Sequence, residues 1–354
     1  MENSILDMVA FIEAGDFESA GAGLDSLSKI YPNNDAIHYY KGFCSYSAGD
    51  YKDAVKQFEA ALGLDPSNNW YKETLANVYL NTGEVAQAEK LLRELQKVNP
   101  GKFPELYVSS MLAGAYRVKR DYPSYFASLT SLVKDEQAED DMKYEALMSV
   151  LGGFDNRSFN ALLPQIDTLV RVYAEAEPKS MHAHNLCMQI AAGMGDNARV
   201  IEECNIMMEL EPDDIDNVVL CLSIIGDTQH EMGENRKAYK TYEKALKLEP
   251  EYCPVLNNYA YYLSLERRRL AKAEKMSRIT ITKEPDNPTY LDTYGWILFL
   301  RGKAKQAKPY FKHAMLYGGK DSAVVLMHYS LVLERLGEKD LATYYRNLAE
   351  SKKK

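Results

Sequence analysis

The sequence predicts an all-α solenoid of antiparallel helix pairs, and three observations predict it. Pro32, Pro66 and Pro100 recur at 34-residue steps. Gly15, Gly49 and Gly83 keep the same step, and so do Ala20, Ala54 and Ala88. A fixed period of this length marks a stacked-repeat protein, in which each unit buries its apolar face against its neighbours. The length of 354 residues suits a fold that grows by adding units, and 46% apolar residues suffice for a continuous core.

Residues 35–68 show how one unit works. Tyr39, Tyr40, Gly42, Phe43 and Tyr46 belong to a first segment that stops at Gly49-Asp50. In the second segment Tyr51, Ala54, Phe58, Ala61 and Leu62 follow the three-four spacing of one apolar helical stripe. Gly49-Asp50 breaks the chain between the two helices. Asp65-Pro66 ends the second, because proline disfavours helical geometry in the residue before it. Ser67-Asn68-Asn69 then offers caps for the next helix. Short side chains at Gly42, Ala54 and Ala61 let the two helices approach closely.

These residues carry a resemblance. The pattern Gly42, Gly49-Asp50-Tyr51, Ala54-x3-Phe58, Ala61, Pro66 resembles the tetratricopeptide repeat, with its 34-residue period and A-x3-F core. Gly15-Asp16-Phe17, Ala20-x3-Leu24 and Pro32 match in the preceding unit, and Gly83, Ala88-x3-Leu92 and Pro100 in the following one. The resemblance implies a right-handed superhelix whose concave face is lined by the first helix of each pair. It also implies an interaction scaffold rather than an enzyme.

The expected organisation has three parts. Residues 1–102 form a block of about three repeats, 103–180 a degenerate helical spacer, and 181–354 a second block of about five repeats. In the spacer, Tyr116 and Asp121-Tyr122 fit one degenerate unit. The acidic run 134–141 then reads as a linker, with Asp140-Asp141 as turn or cap residues, and 142–152 and 157–176 as two helices broken at Gly152-Gly153. In the second block the interval from Pro212 to Pro250 is four residues too long, which predicts an extended turn around Asp213–Asp216. The turn Glu266-Arg267-Arg268-Arg269 lacks a glycine and is one residue longer than its counterparts.

Composition excludes several function classes. A net charge of −9 argues against nucleic acid as the main partner. The short basic runs Arg267–Arg269 and Lys352–Lys354 read as a solvated turn and a solvated terminus. No stretch approaches the ~18 consecutive apolar residues of a membrane span. Five cysteines without a CxxC pair read as reduced, buried thiols. Phosphate-binding, serine-hydrolase and HExxH signatures do not occur. His182 and His184, two apart on a helix, face different sides, and the His184/Cys187 pair reads as packing. No catalytic residue, metal or cofactor is expected.

The most specific stretch is Leu256-Asn257-Asn258-Tyr259-Ala260-Tyr261-Tyr262-Leu263 with Pro285-Asp286-Asn287-Pro288-Thr289-Tyr290-Leu291-Asp292-Thr293-Tyr294-Gly295-Trp296. It resembles the C-terminal part of long bacterial tetratricopeptide proteins of the Bacteroidota type. That resemblance implies export and the cell envelope, periplasmic if a signal was removed. The N-terminus Met1-Glu2-Asn3-Ser4, lacking signal-peptide character, taken literally implies the cytoplasm.

Positions 2, 5, 9 and 12 of a unit form one stripe on its first helix. They are Pro254, Asn257, Tyr261 and Ser264, then Thr289, Asp292, Trp296 and Phe299, and, near 181, His182, Asn185, Gln189 and Ala192. Asn donates to and accepts from an extended peptide backbone, and aromatic residues anchor interfaces. The groove candidates are therefore Asn185, Gln189, Asn257, Asn258, Tyr261, Thr289, Asp292 and Trp296. Asn258 and Asp292 are equally readable as bonding each other or capping helix ends, and Trp296 as packed between repeats. The basic clamp of the chaperone-tail-binding subgroup is not matched, because the early repeats carry Tyr39, Phe43, Glu73 and Asn77 there. The function expected is a non-enzymatic adaptor binding a peptide or protein segment. A self-assembling structural subunit is the alternative.

Overall fold

A computed structural model describes residues 2–352. Among them the chain is helical throughout, without a strand. It divides into two compact units, Met1–Ala183 and His184–Lys354.

In unit 1, α1 (Glu2–Glu13) pairs with α2 (Phe17–Ile30), α3 (Asp35–Ser47) with α4 (Tyr51–Leu64), α5 (Asn69–Thr82) with α6 (Val85–Val98), and α7 (Glu105–Lys119) with α8 (Tyr122–Val133). Then come α9 (Asp140–Leu151), α10 (Asn156–Ala161) and α11 (Leu163–Ala176). The division between the units falls within α12 (Met181–Met194). Unit 2 continues with α13 (Asn197–Leu210), the pairs α14 (Ile215–Glu231) and α15 (Asn235–Leu248), α16 (Cys253–Leu265) and α17 (Leu270–Lys283), α18 (Pro288–Leu300) and α19 (Ala304–Leu316), a 3-10 turn Gly319–Asp321, and the pair α20 (Ala323–Arg335) and α21 (Lys339–Ser351).

The hairpin turn has one recurring construction. Gly49 sits at φ 81°, the left-handed region open to glycine, and stops α3. Asp50 then accepts the Asp53 N–H at 3.1 Å and starts α4. Asp16, Asp121 and Asp196 cap α2, α8 and α13 in the same way. Between α7 and α8 the left-handed position is held by Arg120, at φ 60°. The repeat beat fades there because the glycine is missing, yet the helix pair is kept.

Three details differ from the sequence expectation. The four extra residues before Pro250 do not form an extended turn. They lengthen α14 to 17 residues, against 13 in α16 and α18, with Asp214 as its cap. The helix expected over 157–176 is two, α10 and α11, divided at Leu162, with Pro164 in the first turn of α11, where its missing N–H has no intrahelical role. Asp140 and Asp141 lie inside the first turn of α9, where negative charge complements the helix dipole. The four-residue turn at 266–269 is present, with Arg267 and Arg269 at φ 52° and 48°. Lys353 and Lys354 lie outside the described residues.

Packing within a pair centres on one close approach. A Cβ added at Gly42 would stand 3.0 Å from the Phe58 ring, one at Gly226 2.3 Å from Tyr242, and one at Gly295 2.8 Å from Phe311. In each case a ring of the second helix lies against a bare backbone on the first. In unit 2, Tyr242, Ala245, Tyr259, Leu263 and Ala273 belong to one buried cluster, and Phe311, Ala314, Tyr329 and Val332 to another. All five cysteines are buried.

Candidate functional site

Five of the eight groove candidates are gathered around one cavity in unit 2. Asn257, Asn258 and Tyr261 on α16, with Thr289 and Asp292 on α18, line a volume of about 580 Å³. Volumes of roughly 300–1,000 Å³ are usual for ligand sites. Tyr262, Pro288, Thr293, Val325 and the turn bearing Gly318, Gly319 and Asp321 complete the wall. The arrangement follows from helix geometry, since Asn257 and Tyr261 are four apart on one face, as are Thr289 and Thr293.

Hydrogen bonds hold these side chains from behind. Asn258 Nδ2 donates to both carboxylate oxygens of Asp227, at 3.1 Å each. Tyr242 donates its hydroxyl to the same carboxylate. Burial pushes the Asp227 carboxyl above its usual range, against the lowering effect of these two donors. Asn257 Nδ2 donates to Asn258 Oδ1 at 3.2 Å, and the buried Asn257 Oδ1 has no hydrogen-bond partner among the described residues. Asp292 is also buried, and His328 Nδ1 on α20 meets both its oxygens at 3.0 Å. Asn258 and Asp292 therefore bond to Asp227 and His328 rather than to each other. Burial raises the Tyr262 hydroxyl to about 12, with nearby Asp227 adding to the effect, so this residue stays a neutral donor at physiological pH.

The other three candidates stand apart from the cavity. Trp296 stacks on His328 at 4.0 Å and on Phe299 at 5.2 Å, and packs against the core of the last two helix pairs. Asn185 and Gln189 lie on α12, where Gln189 Nε2 donates to Asn185 Oδ1 at 3.2 Å. The turn at 318–322 and Val324 were missed. The helix-breaking pair Gly318-Gly319 was the available signal, but its contact with α16 and α18 is tertiary.

Unit 1 has a smaller cavity on the same stripe. Tyr39, Phe43 and Tyr46 on α3 with Trp70, Glu73 and Asn77 on α5 line about 310 Å³. Its polar atoms are largely satisfied within it: Trp70 Nε1 donates to Tyr39 Oη at 2.6 Å, and Asn81 Nδ2 to Tyr46 Oη at 2.7 Å. Elsewhere in unit 1, side-chain ligand atoms of Asp140, Asp141 and His182 lie within 4.8 Å of one another, a spacing that suits a metal ion. Asp140 already accepts from Tyr173 Oη and Ser180 Oγ, and His182 stacks on Tyr144 with its Nε2 3.0 Å from Asp141. These bonds account for the cluster as a tie between α9, α11 and α12. No helix among the described residues is long and apolar enough to cross a membrane.

The family comparison agrees with this architecture. Tetratricopeptide repeat families match residues 9–69, 45–109 and 179–354. Cellulose synthase operon protein C of Pseudomonas fluorescens (strain SBW25) is 37% identical over 65 residues, 18% of this chain and 5% of that protein. Photosystem I assembly protein Ycf3 of Synechococcus sp. (strain CC9605) is 31% identical over 86 residues, 22% of this chain and 50% of that protein. The chain thus spans at most half the length of these curated relatives. Among solved structures, MamA (residues 41 to the end) from Desulfovibrio magneticus RS-1 aligns at TM-score 0.40 and 13% identity, over 48% of this chain and 93% of that one. The TPR domain of P58(IPK) aligns at TM-score 0.32 and 15% identity, over 95% of this chain and 98% of that one. With the family matched over both repeat blocks and helix pairs built on its glycine-turn pattern, the chain belongs to the tetratricopeptide repeat family, whose repeats serve as protein-interaction scaffolds.

Proposed function

We propose that the chain is a non-enzymatic adaptor whose unit 2 cavity takes an extended segment of a protein partner. One observation carries this reading. Five residues chosen for peptide-bonding chemistry, on two successive first helices, line the same cavity of about 580 Å³. Amide and hydroxyl groups there meet both donors and acceptors of a peptide backbone. Tyr261 and Tyr262 add apolar surface of the kind that anchors interfaces. The net charge of −9 favours protein over nucleic acid as the partner.

The test is peptide capture by the full chain. Peptides selected from a random displayed library on the wild type are measured against Asn258→Ala and Tyr261→Ala, with Gln189→Ala as a variant outside the cavity. The expected result is loss of binding by the first two and full binding by the third. Both cavity variants still unfold cooperatively, Asn258→Ala at a lower temperature because it removes a donor from the buried Asp227 carboxylate. Equal binding by all three would reject the cavity as the site.

A further inference from the structure

The charges around the unit 2 cavity specify what it takes. Its charged lining side chains are Asp292 and Asp321, and neither lysine nor arginine joins them among the described residues. Asp292 is only 5% exposed and is oriented by His328. Asp321 is open to solvent and already holds one ammonium, Lys352 Nζ at 3.0 Å. Such an exposed pair is weak and exchanges readily with solvent.

A second, independent observation points the same way. Asn257 is 4% exposed, and its Oδ1 has no hydrogen-bond donor among the described residues. Buried polar atoms are nearly always paired, so an orphan acceptor in a cavity wall is a place for a donor from elsewhere. Tyr261 supplies an aromatic ring, a surface over which a cation is stabilised, while the Tyr262 ring is stacked on His230 at 3.5 Å. The N-terminus of α20 also borders the cavity, and its dipole favours negative charge. Asp321, next to the Ser322 cap, already supplies it.

We propose that this cavity receives the cationic side chain of a peptide segment, an arginine or a lysine. Its ammonium or guanidinium hydrogens meet the acceptors of Asn257, Asp292 and Asp321. Both side chains are donors without acceptors, so they complement a site whose charged and orphaned groups only accept. The proposal rests on the peptide-binding reading above.

The experiment uses the full chain and a random dodecapeptide library. Selected peptides are resynthesised with blocked termini, and their binding is followed by fluorescence anisotropy at two salt concentrations. The expected outcome is an arginine or lysine at a constant place in the selected peptides. Its replacement by norleucine weakens binding about tenfold or more, and Asp321→Asn and added salt each weaken it as well. Asp321→Asn melts with the wild type, since the side chain is exposed. Peptides that carry no cation and bind Asp321→Asn normally, yet are lost by Asn258→Ala, overturn the cationic side chain while leaving the peptide site. Peptides bound equally by Asn258→Ala overturn both.

Discussion

The first helices of unit 1 and unit 2 present the same repeat positions with different chemistry. On α3 and α5 the stripe carries Tyr39, Phe43 and Trp70, and on α16 and α18 it carries Asn257, Tyr261, Thr289 and Asp292. In unit 1 the aromatic groups answer one another. Tyr39 stacks on Tyr71 at 4.9 Å and accepts the Trp70 indole N–H, while Tyr71 Oη donates to Asp35 at 2.9 Å. In the unit 2 cavity Asn257 and Asp292 are more deeply buried, and Asn257 Oδ1 lacks a donor among the described residues. The helix-pair plan is shared; the difference lies in the side chains of the stripe and in the turn bearing Gly318, Gly319 and Asp321, which walls the unit 2 cavity. A repeat scaffold sets where a groove can be, and the residues at a few positions set what it takes.

The packing beneath the two grooves differs as well, and this yields the largest expected effect. Gly226 lies so near Tyr242 that alanine would place a Cβ 2.3 Å from the ring, whereas at Gly42 the distance to Phe58 is 3.0 Å. Gly226→Ala is expected to cost about 2–3 kcal/mol through overpacking. At Gly42 the gain of ~1 kcal/mol from better helix propensity offsets much of a smaller clash. Thermal melts of the two variants should therefore separate clearly. Equal melting temperatures would show that the two units pack alike.

The next prediction concerns the desolvation carried by unit 2. The carboxyl of Asp227 is raised by burial, so the folded state binds its proton more tightly than the unfolded chain. The stabilisation from this group is complete below the ordinary carboxylate range and is lost as pH rises through the raised value. Asp227→Asn should consequently gain on the wild type between acidic and neutral pH. Melting temperatures compared at both ends of that interval check it, and a constant difference would remove the claim.

The smallest effect belongs to the irregular part of unit 1. Arg120 holds a left-handed conformation that glycine holds at Gly49 and Gly83. Relieving that strain with Arg120→Gly should stabilise the unit by about 0.5–1 kcal/mol, since the left-handed region disfavours residues with a Cβ. A loss of stability would mean that the arginine side chain itself holds the turn.

Much of the fold could be read from spacing, because glycine, proline and small residues act locally. Gly49 stops a helix, Asp50 starts the next, and Ala54 and Gly42 permit close approach, all within one unit. Reading failed where the same job was done by another residue or another length. Arg120 concealed a regular turn, and four extra residues wound into α14 rather than into a loop. Helical periodicity pointed to Asn257 and Asp292, which line the unit 2 cavity. Trp296 sits on the same stripe but is drawn against His328 by packing that periodicity does not encode.

The sequence by itself determined the helix pairs, their turns and the face each first helix presents, because these depend on neighbours a few residues apart. The tertiary structure alone decided that Asp321 on a turn comes round to Asn257 and Asp292, that His328 orients Asp292, and that Asn257 keeps an acceptor unpaired among the described residues. Such juxtapositions join residues separated by tens of positions. They arise only when successive pairs stack and their side chains compete for the same buried space.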